Sequence, residues 1–255
     1  MLSYRLMLRA RKHPRVEHAV HAWERLRGAP PIRSEDEWLA GFVAPGRSFA
    51  DVGGMWGIDG EIAIRAAELG ADPVTLVDFY TTDQFLEKRA ARAAGVRVVL
   101  GSADDHNVVE EVGAIDRVWC WGVLYHHPAP GAILAALRMI TRERLCLEVR
   151  TIPEVPGMPQ ASVFWPYLPP TVARRYSHSR YGLTTQMAID VPYDPDARGA
   201  NDFWGLSPSA VIALAGTCGL RCVSVARSPK GPQRHVFEFE PVPAPYVFPF
   251  GEPPN

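Results

Sequence analysis

Between residues 48 and 150 the sequence switches hydrophobic period repeatedly, and this alternation confines the chain to one broad architecture. Apolar runs of strand length (SFADVG, PVTLVDF, VRVVLG, IDRVWCWGVL and RLCLEV) are separated by stretches of helical spacing at 58–69, 82–94, 105–112 and 131–140. Brief connections between such runs impose parallel pairing through right-handed crossovers. Helices then cover both faces of an open sheet. Ahead of this block, Ser34 can cap a helix over 35–42, with Glu37 completing a capping box. Behind it, a helix over 207–218 precedes RCVSVA and RHVFEFE, two strands joined by the turn-forming SPKGPQ and expected as an antiparallel hairpin. The expected fold is α/β, with a seven-stranded, mostly parallel sheet.

Two residue types are unevenly spread. Of the 24 prolines, 17 lie at or beyond residue 151, and TIPEVPGMPQASVFWPYLPP holds too many for a helix or a central strand. The organisation expected is a helical leader (1–47), a sheet domain (48–242) with a lid inserted at 151–205, and an extended tail (243–255). The leader reads as helical from Val16, Val20, Trp23 and Leu26. Its first 33 residues carry eight Lys/Arg against two Glu, so the overall net charge of −1 is a cancellation of +6 and −7. That balance disfavours a nucleic-acid partner without excluding one. No apolar run is long enough to span a membrane, and MLSYRLMLRARKH lacks the form of a secretory signal. Four cysteines with no C-x-x-C pair suit a reducing, cytoplasmic compartment. The oligomeric state is not legible.

In an open parallel sheet, ligands bind beyond the carboxyl ends of the strands. The first strand is followed by Asp51-Val52-Gly53-Gly54-Met55-Trp56-Gly57, a turn through which backbone can approach a ligand and lead into a helix N-terminus. Asp78 ends the second strand, where an acid can accept from both hydroxyls of a ribose, and Phe79 offers a face to a base. After the third strand, Ala103 and Asp104 are placed to meet an adenine. The fourth leads into Trp121-Gly122-Val123-Leu124-Tyr125-His126-His127-Pro128. Singly, each has a plain alternative: a tight turn, a cap, a surface acid. Their order on successive strand ends favours a nucleoside cofactor. The segment lacks the G-x-G-x-x-G that a nicotinamide enzyme wants.

This arrangement resembles class I S-adenosylmethionine-dependent methyltransferases over residues 48–240. FADVGGMWG is similar to their first motif, LVDF to the acidic second strand end, and IDRVWCWGVLYHHPAP to the fourth-strand motif. Val-Leu-Tyr-His-His-Pro and NDFWGLSPSAVIALAGTCGL resemble the branch that holds the bacterial tRNA wobble-uridine carboxymethyltransferase and its small-molecule relatives. The resemblance implies a Rossmann-like fold and S-adenosyl-L-methionine as cofactor, held by Asp51, Gly53, Gly54, Trp56, Asp78, Phe79, Ala103, Asp104, Trp121 and Gly122. Met55 departs from the motif's middle glycine. The only lysine ahead of the motif is Lys12, so the lysine that holds a carboxylated cofactor in that branch has no counterpart, and the unmodified cofactor is expected.

His126 and His127 follow a strand end, where a general base has to sit, and histidine titrates near neutral pH. Tyr125 beside them could bond cofactor or substrate. Phe164, Trp165, Tyr167, Tyr181 and Trp204 are the expected rings of a substrate lid, in an insertion that also holds Tyr176, Tyr193 and Phe203. No histidine or cysteine spacing suggests a metal site. The reading is methyl transfer to a hydroxyl of a small organic molecule, a specialised metabolite or sugar derivative. Its rivals are a tRNA-modifying enzyme, a nucleotide-binding oxidoreductase and a non-catalytic partner protein.

Overall fold

The computed structural model describes residues 32–155, 157–169, 171–172, 193–196, 201–231 and 233–243. The expected leader helix, Tyr176, Tyr181 and the tail beyond 243 lie outside the described residues. In chain order the elements are α1 (Glu35–Phe42), β1 (Phe49–Val52), α2 (Glu61–Glu68), β2 (Val74–Asp78), α3 (Asp83–Arg92), β3 (Arg97–Leu100), α4 (His106–Val112), β4 (Ile115–Trp121), α5 (Pro130–Ile140) and β5 (Thr141–Arg150). The chain continues through β6 (Ser162–Phe164), β7 (Trp204–Leu206), α6 (Pro208–Thr217), β8 (Leu220–Arg227) and β9 (Arg234–Pro241).

Seven strands form one sheet in the order β3-β2-β1-β4-β5-β9-β8. The first five run parallel, and β9 enters antiparallel between β5 and β8. This is the Rossmann-like α/β architecture, with strand order reversing between β1 and β4. β6 and β7 pair separately as a two-stranded ribbon inside the insertion.

Local chemistry accounts for the element ends. Ser34 Oγ accepts from the Glu37 N–H at 3.2 Å while Glu37 Oε2 accepts from the Ser34 N–H at 2.7 Å, the reciprocal capping box. Thr82, Asp105 and Ser207 cap α3, α4 and α6 through their side chains. The helix expected from residue 58 starts only at Glu61. Gly57, Asp59 and Gly60 have φ of 74°, 47° and 66°, which holds 57–60 in a turn and lengthens the loop after β1. Two cores cover the sheet faces. One gathers Val52, Val77, Leu134, Leu137, Leu147 and Phe237 beneath α4, α5 and α6. The other packs Phe49, Ile64, Leu76, Phe85, Trp119 and Val236 beneath α1, α2 and α3. Burying each such side chain is worth about 1.5–3 kcal/mol, which makes the sheet a stiff frame for the loops at its carboxyl edge.

Candidate functional site

The loop after β1 is built around a carboxylate. Asp51 is buried, and the Ala63 N–H in the first turn of α2 donates to it. The α2 N-cap is Gly60, which supplies no side-chain cap, so Asp51 serves that role from the neighbouring strand. Its second oxygen, Oδ2, has no hydrogen-bond partner. A Cβ at position 54 would lie 2.0 Å from that oxygen, so only glycine lets the loop pack this closely against the carboxylate. At Gly53, φ is +79° and a Cβ would fall 2.3 Å from Val123 Cγ2, which brings the loop hard against the segment after β4. Burial, and then the nearby Asp78, push the Asp51 carboxyl up to about 8.

Asp78 ends β2 and reaches back to this loop, its Oδ2 accepting from the Met55 N–H at 2.9 Å. Burial raises its pKa, opposed by the backbone N–H groups of Met55, Phe79 and Tyr80. Three N–H donors on about four acceptor sites leave the carboxylate a lone pair for an incoming hydroxyl. Met55 points into the core, whereas Trp56 and Phe79 stand 73% and 66% exposed at the rim. The sequence also missed Lys230, on the β8–β9 turn. Its Nζ lies 2.9 Å from Glu35 Oε1 and 5.2 Å from the Trp121 ring, and both Lys230 and Glu35 act electrostatically on Asp51.

Trp121 was expected at the cofactor, but its ring lies in the core. It stacks on Trp119 at 4.2 Å, and its Nε1 donates to Cys146 Sγ at 3.3 Å. The cause is the period of two along β4, which puts residues 119 and 121 on one face. Gly122 follows with φ +83°, close to the Tyr125 hydroxyl. Ala103 is half-buried against the first core. Asp104 bonds the Ser102 hydroxyl and lies 3.3 Å from His127 Nε2, while His127 Nδ1 meets the backbone of Ala129. Both ring nitrogens of His127 are thus engaged, and this histidine ties the loops after β3 and β4 together.

His126 is placed differently. Its Nδ1 donates to the Asn201 carbonyl at 2.8 Å and lies 3.3 Å from Asp202 Oδ1. Donation to a carbonyl assigns the proton to Nδ1, leaving Nε2 as the lone-pair nitrogen. Burial holds the ring below the ordinary histidine pKa, Arg150 and Arg234 acting in the same direction and Asn201 and Asp202 against it. Around it lies a buried charge network. Glu148 is fully buried and holds Arg234 through bonds of 3.1 and 2.9 Å, and Arg150 pairs with Asp202. The guanidinium groups of Arg150 and Arg234 lie 4.8 and 5.3 Å from the centre of the buried Tyr125 ring. Burial raises the Tyr125 pKa. Sequence reading missed all four charged residues, although Glu148 and Arg150, closing the apolar run LCLEVR, were a visible anomaly at a strand end.

The described insertion rings form a chain: Tyr167 to Tyr193 at 4.8 Å, Tyr193 to Phe203 at 5.6 Å, Phe203 to Phe164 at 6.4 Å and Phe164 to Trp204 at 4.9 Å. Trp204 Nε1 donates to the Pro128 carbonyl at 2.9 Å, which sets this row beside the loop after β4. Tyr167 is 79% exposed. Trp165, expected among the lid rings, is buried instead in a small core with Ile152 and Ala161. A loop segment of this size needs apolar anchors of its own.

The sheet order and the loop geometry define a Rossmann-like α/β fold. Solved structures share it. A Burkholderia thailandensis 1,6-didemethyltoxoflavin-N1-methyltransferase, with bound 1,6-didemethyltoxoflavin and S-adenosylhomocysteine, matches with a TM-score of 0.52 at 16% identity, over 80% of this chain and 75% of that one. Magnesium protoporphyrin IX methyltransferase from Synechocystis, with bound S-adenosylmethionine, matches at 0.50 and 17% identity, over 81% and 77%. A Rhodobacter sphaeroides protein described as a Zn-dependent alcohol dehydrogenase matches at 0.56 and 15% identity, over 82% and 91%. At such identities the likeness is one of fold. No protein-family model and no curated protein matches the sequence. Among the described residues, no group of three or more His, Cys, Asp or Glu could hold a metal ion, and no helix is long and apolar enough to cross a membrane.

Proposed function

We propose that this chain is an S-adenosylmethionine-dependent methyltransferase acting on a hydroxyl of a small organic molecule. The observation that carries the cofactor reading is a pair of acids at the carboxyl ends of adjacent strands: Asp51, whose Oδ2 lies against Gly54 with no hydrogen-bond partner, and Asp78, which holds the same loop through the Met55 N–H. A buried carboxylate without a donor wants a cationic or donor ligand. The residues fit the cofactor. Asp51 would receive its ammonium, Lys230 its carboxylate, Asp78 its ribose hydroxyls, and the exposed rings of Phe79 and Trp56 would flank its adenosyl part. When bound, the sulfonium supplies an already activated methyl group, so the protein's task is to orient the acceptor.

His126 is the base this geometry favours over His127, whose two ring nitrogens are both engaged by the protein. Its Nε2 would take the acceptor's hydroxyl proton. The row of rings from Tyr167 to Trp204 suits an apolar acceptor surface, as in most small-molecule pockets. The N-methyltransferase among the structures of this fold keeps nitrogen acceptors as the rival outcome.

Titration calorimetry with S-adenosylhomocysteine tests the cofactor reading. The wild type is expected to bind, and Asp78→Ala to lose about 10–100-fold in affinity, the worth of hydrogen bonds to a charged group. Undiminished affinity in the variant refutes it. With radiolabelled S-adenosylmethionine and a panel of phenols, alcohols and amines as acceptors, His126→Ala should cut methyl transfer to hydroxyl acceptors at least ~100-fold. His127→Ala should cut it less.

A further inference from the structure

The returning end of the insertion is fastened to the loop after β4 at successive points. The Asn201 carbonyl accepts from His126 Nδ1 at 2.8 Å, the Phe203 N–H donates to the Tyr125 carbonyl at 2.8 Å, and Trp204 Nε1 donates to the Pro128 carbonyl at 2.9 Å. Between these contacts sits Asp202, its side chain 3% exposed and paired with Arg150 at the end of β5. Its Oδ1 has no hydrogen-bond partner yet lies 3.3 Å from His126 Nδ1, so the ion pair with Arg150 leaves one carboxylate oxygen aimed at the ring.

We propose that segment 201–204 is the positioning element of the His126 base. The Asn201 carbonyl keeps the proton on Nδ1, Asp202 supports the charge the ring gains, and Arg150 holds Asp202 in place. The proposal rests on His126 being the base and adds what makes it one. In the step itself, His126 Nε2 takes the hydroxyl proton while the acceptor oxygen bonds the methyl carbon and the electron pair of the broken carbon–sulfur bond stays on sulfur. Nδ1 keeps its proton throughout, so the ring carries a positive charge until Nε2 releases the proton to water.

That charge forms among groups from each neighbouring element. Asp202 stands on the returning insertion, Arg150 and Glu148 on β5, Arg234 on β9, and Tyr125 beside the ring. Glu148 already neutralises Arg234, so Asp202 is the anion left to face the imidazolium. The element that covers the acceptor would therefore also complete the base.

The test needs no identified acceptor. Nitrogen-15 NMR of the full chain labelled at histidine, with His126→Gln to assign the signal, reads tautomer and titration midpoint directly. Near neutral pH the wild type should show a protonated Nδ1 and an unprotonated Nε2. Asp202→Asn should lower the His126 midpoint by about one unit or more, and Arg150→Met should raise it, as removal of an opposite or a like charge at this range does. Burial already holds the midpoint below its ordinary value, so mere loosening would raise it in both variants. Only a charge effect moves the two in opposite directions.

Asp202→Glu should restore the midpoint toward the wild type. A wild-type ring protonated on Nε2, or the same direction of shift in both variants, overturns the proposal. Should Asp202→Asn fail to fold, the wild-type tautomer and the Arg150→Met shift still decide. Full methyl transfer by His126→Ala would instead overturn the base itself. A loss in that variant with no midpoint change in Asp202→Asn would overturn the positioning alone.

Discussion

The two halves of the sheet's carboxyl edge treat buried charge in opposite ways. On the β1–β2 side, Asp51 keeps an oxygen without a partner, and burial pushes its carboxyl up to about 8. On the β5–β9 side, Glu148 grips Arg234 and Asp202 grips Arg150, with both carboxylates buried and matched in sign. Each half keeps one carboxylate oxygen without a hydrogen bond, Asp51 Oδ2 and Asp202 Oδ1, but only the second belongs to a carboxylate paired with an arginine. A buried group satisfied by its own chain holds a shape. On the proposed reading, the first half receives the cofactor and the second surrounds the histidine that gains a proton.

The sharpest way to break this contrast is to remove an acid from each half. Glu148→Ala leaves Arg234 largely buried and alone, and should cost about 3–5 kcal/mol, read as a lower denaturant midpoint. A loss below 1 kcal/mol would show that the pair is not holding shape. Asp51→Asn should act the other way in the free protein. The folded state keeps the Asp51 proton up to about pH 8, whereas the unfolded chain releases it near the ordinary carboxylate range. Wild-type stability from this group therefore falls as pH rises across that window and levels off above it. The variant should be more stable by about 2 kcal/mol at pH 8, near the cost of one unsatisfied buried polar group. Thermal melts from pH 4 to 8 should show the gap closing toward pH 4. The same variant should bind S-adenosylhomocysteine more weakly, since Asp51 is the residue proposed to receive the ammonium. Equal stability at both pH values would remove the distinction between the halves.

The local structure of the β1–β2 half was the more legible. Its parts lie in consecutive residues: a strand, a glycine turn and a helix start in FADVGGMWG, and an acid closing VTLVD. Adjacent residues can be read together because backbone geometry alone brings them together. The capping box at Ser34 and the final hairpin were legible for the same reason. The network half was not. Glu148, Arg150, Asp202 and Arg234 are spread over 87 positions, and a charged residue in a chain this polar is by default a solvated one. The choice between His126 and His127 was equally hidden, since the two are adjacent and alike in type. Trp121 and Trp165 show the reverse failure: large rings near a strand end read as ligand contacts until their burial in the cores is seen.

The sequence by itself determined the order of elements, the sheet they must form and the edge at which a ligand would bind. Hydrophobic period and turn residues act over a few positions, so their consequences are written locally. Only the tertiary structure decided which buried charges are matched and which histidine keeps a lone pair. Those outcomes depend on strands β5 and β9 pairing Arg150 with Arg234 in register, and on a distant segment returning to place Asn201 and Asp202 against one ring. Electrostatics in a buried site is set by distance and solvent exclusion, and neither quantity exists until the chain has folded.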